Sequence, residues 1–211
     1  MTTSPTAPRK RDGDKRRREL CDAAIEVLAN EGSRALTHQK VDRAAEVPDG
    51  TTSYYYRTRA ALLRGVGRRV AEIDSANLRS VTDTATKSAS PFGRLAQLTA
   101  MQADGFGLLL NRARLELMLA ATRDPELADM SAESVAKVVE LTHDAISIVQ
   151  PPLSDPRLRE AQADAVMTMI SGAFTRFAAG DRSLADPVRL EGLMHAIVVA
   201  VEQSYTPLER G

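Results

Sequence analysis

Apolar residues recur along this chain at intervals of three and four, and no stretch alternates at an interval of two. The pattern predicts an all-α protein. A first helix is expected from about Asp14 to Asn30, with Leu20, Ala24, Val27 and Leu28 on one stripe and a Gly stop at Glu31-Gly32. Thr37 is a good N-cap for a short second helix, about His38 to Ala45, with Val41, Ala44 and Ala45 facing inward. A tight turn follows, and Pro48 sits at a first-turn position of a third short helix running to Tyr55. A packing helix followed by two short helices and a tight turn is the helix-turn-helix arrangement.

A longer helix is expected from Arg59 to about Lys87. Beyond it, Ser90-Pro91, Asp124-Pro125, Asp155-Pro156 and Asp186-Pro187 each pair an N-cap residue with Pro at the first helical position. They frame helices at about 91–110, 111–122, 126–149, 157–179 and 187–204. In the last two, Ala163, Val166, Met167, Ile170, Phe174 and Phe177 share one period, as do Leu190, Leu193, Met194, Ile197, Val198 and Val201. Small residues (Ala161, Ala165, Gly172, Ala173, Ala196, Ala200) occupy other faces. Helices apolar on more than one face need cover on more than one side. A second copy packed as a four-helix bundle would supply it, placing Val166, Ile170, Phe174, Leu193, Ile197 and Val201 at a homodimer interface. The alternative is that both helices are central within one chain.

Three of the four tyrosines stand together at Tyr54-Tyr55-Tyr56, in a chain with no Trp. They end a short polar segment that begins with Pro and Gly, and a basic, apolar helix pattern follows. Such a segment suits a helix pressing polar side chains and phenol hydroxyls against a phosphate backbone. Charge agrees. The net is zero, yet residues 1–70 carry 15 Lys and Arg against 9 Asp and Glu, a net of +6, which leaves −6 for the remainder.

No apolar run reaches the roughly 18 residues of a membrane span. The start of the chain also lacks a signal-peptide pattern, so a cytoplasmic protein is expected, with no membrane partner. Residues 1–13 read as a disordered, partly basic arm, 14–60 as a DNA-binding domain and 61–211 as a helical ligand-binding and dimerisation domain. The lone Cys21 cannot form an internal disulfide. Its spacing to Leu20, Ala24 and Leu28 makes it a core residue in preference to a redox sensor.

The stretch from Glu19 to Gly32, then Leu36-Thr-His38, then Ala44 to Leu63 with its Thr-Thr-Ser-Tyr-Tyr-Tyr-Arg-Thr-Arg, resembles the DNA-binding domain of the TetR family of transcriptional regulators. The match covers about residues 15–63; beyond it, only helical character and length agree. The resemblance implies a homodimer that binds a palindromic double-stranded DNA operator, usually as a repressor, and is released by a small-molecule effector. It assigns DNA contact to Thr37, Gln39, Lys40, Asp49, Gly50, Thr51, Thr52, Tyr54, Tyr55 and Arg59, and a core position to Tyr56. Two residues depart from the family pattern. Glu46 stands where Gly is common, and Asp49 where Lys is frequent. At positive φ, Glu46 would cost on the order of 1 kcal/mol. Asp49 either repels phosphate or accepts from a cytosine amino group. These departures motivate a rival reading, a helical adaptor whose head no longer binds DNA.

No reactive constellation stands out. His38, His143 and His195 are far apart in sequence, and Gly65-Val-Gly67 and Gly105-Phe-Gly107 each lack the third Gly and the preceding strand of a dinucleotide site. No enzyme activity, cofactor or metal is expected. An effector would contact the middle helices, with Met101, Phe106, Arg114, Leu117, Met118, His143, Met167 and Phe174 as candidates.

Overall fold

The computed structural model of the chain describes residues 8–83, 90–149 and 155–205. Among them lie nine α-helices and one 3-10 turn: α1 (Pro8–Glu31), the turn Ser33–Ala35, α2 (His38–Ala44), α3 (Thr51–Tyr55), α4 (Arg59–Asp83), α5 (Pro91–Ala100), α6 (Gly105–Ala121), α7 (Pro125–Val149), α8 (Pro156–Ala178) and α9 (Pro187–Ser204). The expected all-α class holds, and no described helix is long and apolar enough to cross a membrane. The arm expected over 1–13 falls largely outside the described residues; from Pro8 onward the backbone is already in α1. Residues 84–87, expected to extend α4, also lie outside them.

The Ser-Pro and Asp-Pro signals sit at helix starts. Ser90 Oγ accepts the Gly93 N–H at 2.9 Å, Asp155 the Arg157 N–H at 2.9 Å and Asp186 the Val188 N–H at 2.9 Å. Asp124 accepts the Leu127 N–H at 3.4 Å. One break is misplaced by sequence. A helix over 91–110 was expected, but α5 ends at Ala100 and α6 starts at Gly105. The corner is close-packed: a Cβ on Gly107 would collide with the Met101 carbonyl oxygen, so only glycine lets it close.

The chain divides into two compact units. One runs to Ile73 and takes in Leu109–Ser131; the other takes in Asp74–Leu108 and the chain from Ala132 onward. In the first, Leu20, Ile25, Leu28, Leu36 and Leu62 are buried together with Leu110, Ala113, Leu117 and Leu127. Ion pairs strap its surface: Arg69 grips Asp22 (2.7 and 3.1 Å), and Arg64 Nε grips both Asp124 oxygens (3.2 and 3.0 Å). In the second, Phe92 and Leu95 of α5 pack with Val166 and Ile170 of α8 and Leu190, Met194 and Val198 of α9.

Candidate nucleic-acid interface

The head begins with a side-chain cap. Thr37 is extended (φ −125°, ψ 154°), and its Oγ1 accepts the Lys40 N–H at 3.2 Å, starting α2. The helix ends in a Schellman motif: the Val47 N–H donates to the Asp42 carbonyl (3.0 Å) and the Glu46 N–H to the Arg43 carbonyl (3.2 Å). This closure needs a left-handed residue. Glu46 supplies it at φ 52°, the one non-glycine with positive φ among the described residues. The strain anticipated from sequence is therefore present.

Asp42 is the residue that sequence reasoning missed. It is 1% exposed, and its carboxylate takes three donors: the Gly50 N–H (2.8 Å), the Thr52 N–H (2.7 Å) and the Thr52 hydroxyl. The charge thus sits at the start of α3, where first-turn N–H groups lack helical partners. At the other end of α3, His38 Nε2 lies 2.6 Å from the Tyr56 carbonyl. A carbonyl only accepts, so Nε2 carries the proton. The available signal was spacing: His38 and Asp42 are four apart and share one face of α2.

The predicted contact residues divide by exposure. Thr37, Gln39, Asp49, Gly50, Tyr54 and Arg59 are exposed; Lys40, Thr51 and Tyr55 are half-buried. Thr52 was expected at the surface and is fully buried, because its hydroxyl belongs to the Asp42 latch. Pro48 and Asp49 were expected inside the third helix but precede it, since α3 starts at Thr51 behind Gly50 (φ 91°). The Thr51 hydroxyl donates to the Pro48 carbonyl at 2.6 Å. Tyr54 and Tyr55 meet edge to face with centroids 5.1 Å apart, and the Arg17 guanidinium lies 5.2 Å from the Tyr55 ring centre. Lys40 is paired with Glu31, and Arg59 donates to the Ser33 carbonyl. Arg43 and Arg57 are exposed and make no ion pair among the described residues, adding positive charge that sequence reasoning did not assign.

Tyr56 lies in the core, as its position implied. It is 8% exposed and shares a hydrogen bond with Cys21 (3.1 Å). Its ring lies where a Cβ on Gly65 would approach within 2.5 Å, so α4 presents glycine to it. Burial pushes the Cys21 thiol up to about 11 and raises the Tyr56 phenol as well. The thiol is buried, as its spacing to the core residues of α1 implied.

No protein-family model matches the chain, and no curated protein matches it. Solved structures do. A candidate TetR-family transcriptional regulator from Rhodococcus sp. aligns at TM-score 0.68 with 20% identity, covering 89% of this chain and 98% of the other. The multidrug binding protein EbrR complexed with ethidium aligns at 0.61 with 25% identity, covering 87% and 98%. The fold is that of the TetR-family transcriptional regulators. A candidate regulator from Saccharomonospora viridis in complex with choline shares this TetR fold at TM-score 0.71 with 15% identity, covering 88% and 96%.

Within the TetR fold, the expected effector residues are distributed over both units. Arg114, Leu117 and Met118 belong to the first unit, where Leu117 is core and Met118 is 54% exposed. In the second unit, Met101 and Phe106 are exposed at the α5–α6 corner, while Met167 and Phe174 pack into the core. Met167 Sδ accepts the Thr142 hydroxyl at 3.5 Å. His143 is exposed at a shallow cleft of about 380 Å³, with Asp144, Ser147, Pro156, Arg159 and Glu160. No cluster of His, Cys, Asp and Glu suited to a metal occurs among the described residues.

Two dimer-interface expectations are corrected. Val166 (0% exposed) and Ile170 (4%) face the core of their own chain, packed with α5 and α9. The apolar period read along α8 marks its inner face. Its outward stripe is small and polar, with Thr168 and Gly172 exposed. Leu193 remains exposed, and Phe174, Ile197 and Val201 are half-buried. On α9, Ala196, Val199 and Ala200 are exposed beside Gly192, around which a Cβ would meet nothing within 4 Å.

Proposed function

We propose that this chain is a transcriptional regulator that binds double-stranded DNA through α2 and α3 as a homodimer and answers to a small-molecule effector. The observation that carries this is the braced head: a five-residue α3 held at both ends by α2, with Asp49, Gly50 and Tyr54 facing outward. Thr37, Gln39 and Lys40 would meet one phosphate strand at the start of α2, and Tyr54, Tyr55 and Arg59 the other side of the groove. The Thr37 hydroxyl accepts one bond and keeps its hydrogen for a phosphate oxygen.

The second copy would pack on the outward stripes of α8 and α9, where small residues permit close approach. Each dimer would then present two heads to a palindromic operator, about 34 Å apart or a multiple of it. An effector shifts DNA affinity only by its differential affinity for two conformations, and repression with effector-induced release is the mode proposed here. The adaptor alternative loses part of its motivation, because Glu46 accepts the left-handed geometry and the turn closes normally.

Selection of genome fragments by the purified full chain at physiological salt tests the proposal. An enriched palindromic motif is the expected result. Folded dimer that enriches no motif would sink the operator-binding assignment and favour the adaptor.

A further inference from the structure

We infer that α2 is a two-ended clamp on α3, with Asp42 and His38 as positioning residues that determine which base sequence the head reads, as distinct from how tightly it holds DNA in general. The inference rests on the DNA-binding proposal above. α3 has five residues, and few backbone bonds join it to its flanks: Thr51 N–H to the Pro48 carbonyl (3.1 Å), Tyr54 N–H to the Gly50 carbonyl (3.0 Å) and Tyr56 N–H to the Thr52 carbonyl (2.8 Å). A helix that short does not hold its own geometry, because nucleation costs more than so few bonds return. Its orientation has to be imposed from outside.

Both impositions come from α2. Asp42 holds the start of α3 through the Gly50 and Thr52 amides, and His38 holds its end through the Tyr56 carbonyl at 2.6 Å. The two grips are one helical turn apart on one element, so they cannot shift independently. Asp42 also closes the turn, since its own carbonyl accepts the Val47 N–H at 3.0 Å. One residue therefore fixes the turn, the start of α3 and the seat of Thr52 together.

The Asp42 carboxylate is buried and already accepts three bonds, so it does not reach a base or a phosphate. Its effect on DNA must pass through alignment. Phosphate contacts supply affinity without sequence information, whereas base contacts depend on where the helix lies in the groove. A loosened clamp should therefore lower discrimination and spare sequence-independent binding.

The test compares full-length wild type, Asp42→Asn and His38→Gln on two duplexes at one salt concentration: the sequence enriched by wild type and a scramble of equal length. Each folded variant is expected to lose about tenfold or more on the enriched duplex while its affinity for the scramble moves by less than about twofold. Thr52→Val removes one of the three donors and leaves Asp42 on both amides, so it carries the same comparison, with a smaller expected loss on the enriched duplex, where Asp42→Asn does not fold. An unchanged ratio between the duplexes overturns the clamp, and so does an equal loss on both, which would mark a purely structural role. Wild type that enriches no sequence overturns the DNA-binding proposal itself, and that result appears before any variant is compared.

Discussion

Glu46 sits in left-handed backbone that a Cβ disfavours, while its N–H still closes the turn. Glu46→Gly keeps the hydrogen bond and relieves the strain. It is expected to stabilise the protein by about 0.5–1 kcal/mol, read as a raised denaturation midpoint at unchanged m-value. A lowered midpoint would mean that the Glu46 side chain makes a compensating contact. A second residue-scale consequence concerns pH. Burial raises the Cys21 thiol from 9.0 to about 11, so the folded state favours the neutral thiol more than the unfolded state does. Its contribution to stability is present below pH 9.0 and lost as pH rises through about 11. Thermal midpoints should fall over that window, and Cys21→Ala should flatten the fall; an unaltered slope would assign the loss elsewhere. At this scale sequence was informative for Tyr56, whose core role followed from its position, and for Asp42 it offered only the four-residue spacing from His38. A carboxylate's burial depends on donors eight and ten residues away, which composition and periodicity do not report.

Helix starts in this protein are local devices, which is why four of them were legible. Ser90 and Asp124, Asp155 and Asp186 each sit before Pro, and each side chain bonds an amide within the next three residues. Asp186→Ala should cost about 1 kcal/mol, with the loss of amide protection confined to the first turn of α9. A loss spread over the whole helix would mean that Asp186 does more than cap. Asp124 differs, because Arg64 holds its carboxylate and lowers its pKa below the usual carboxylate value, aided by the Leu127 amide. Contacts made across a turn were not legible. The break between α5 and α6 depends on Gly107 approaching the Met101 carbonyl, and the start of α3 depends on Asp42 as well as on the Pro48 carbonyl. Along α8, Val166 and Ile170 were expected at a partner's face but pack in the core of their own chain.

Charge separation belongs to the whole molecule. A sequence with +6 in its first 70 residues and −6 after them should bind DNA through one end and repel it elsewhere. Tyr55→Phe and Arg59→Ala are each expected to weaken operator binding, and Arg59→Ala should also reduce the slope of log affinity against log salt by about 1. Unchanged affinity in both variants would remove these residues from the interface. The fold class and head were legible in the sequence because helix-turn-helix signals are short-range. For an effector the sequence offers less, since Met and Phe at helical spacing mark apolar faces without saying which face lines a cavity. The three Asp-Pro peptides, 124–125, 155–156 and 186–187, carry one more consequence. An Asp-Pro bond breaks in acid when the Asp carboxyl attacks its own carbonyl carbon. In the folded chain each of these carboxyls is engaged with an amide. Mild acid should therefore spare the native protein at these bonds, and once the caps open, cut it into segments that begin where α7, α8 and α9 begin. The fragment pattern on a mass spectrum would then report, bond by bond, which helix loses its first turn earliest.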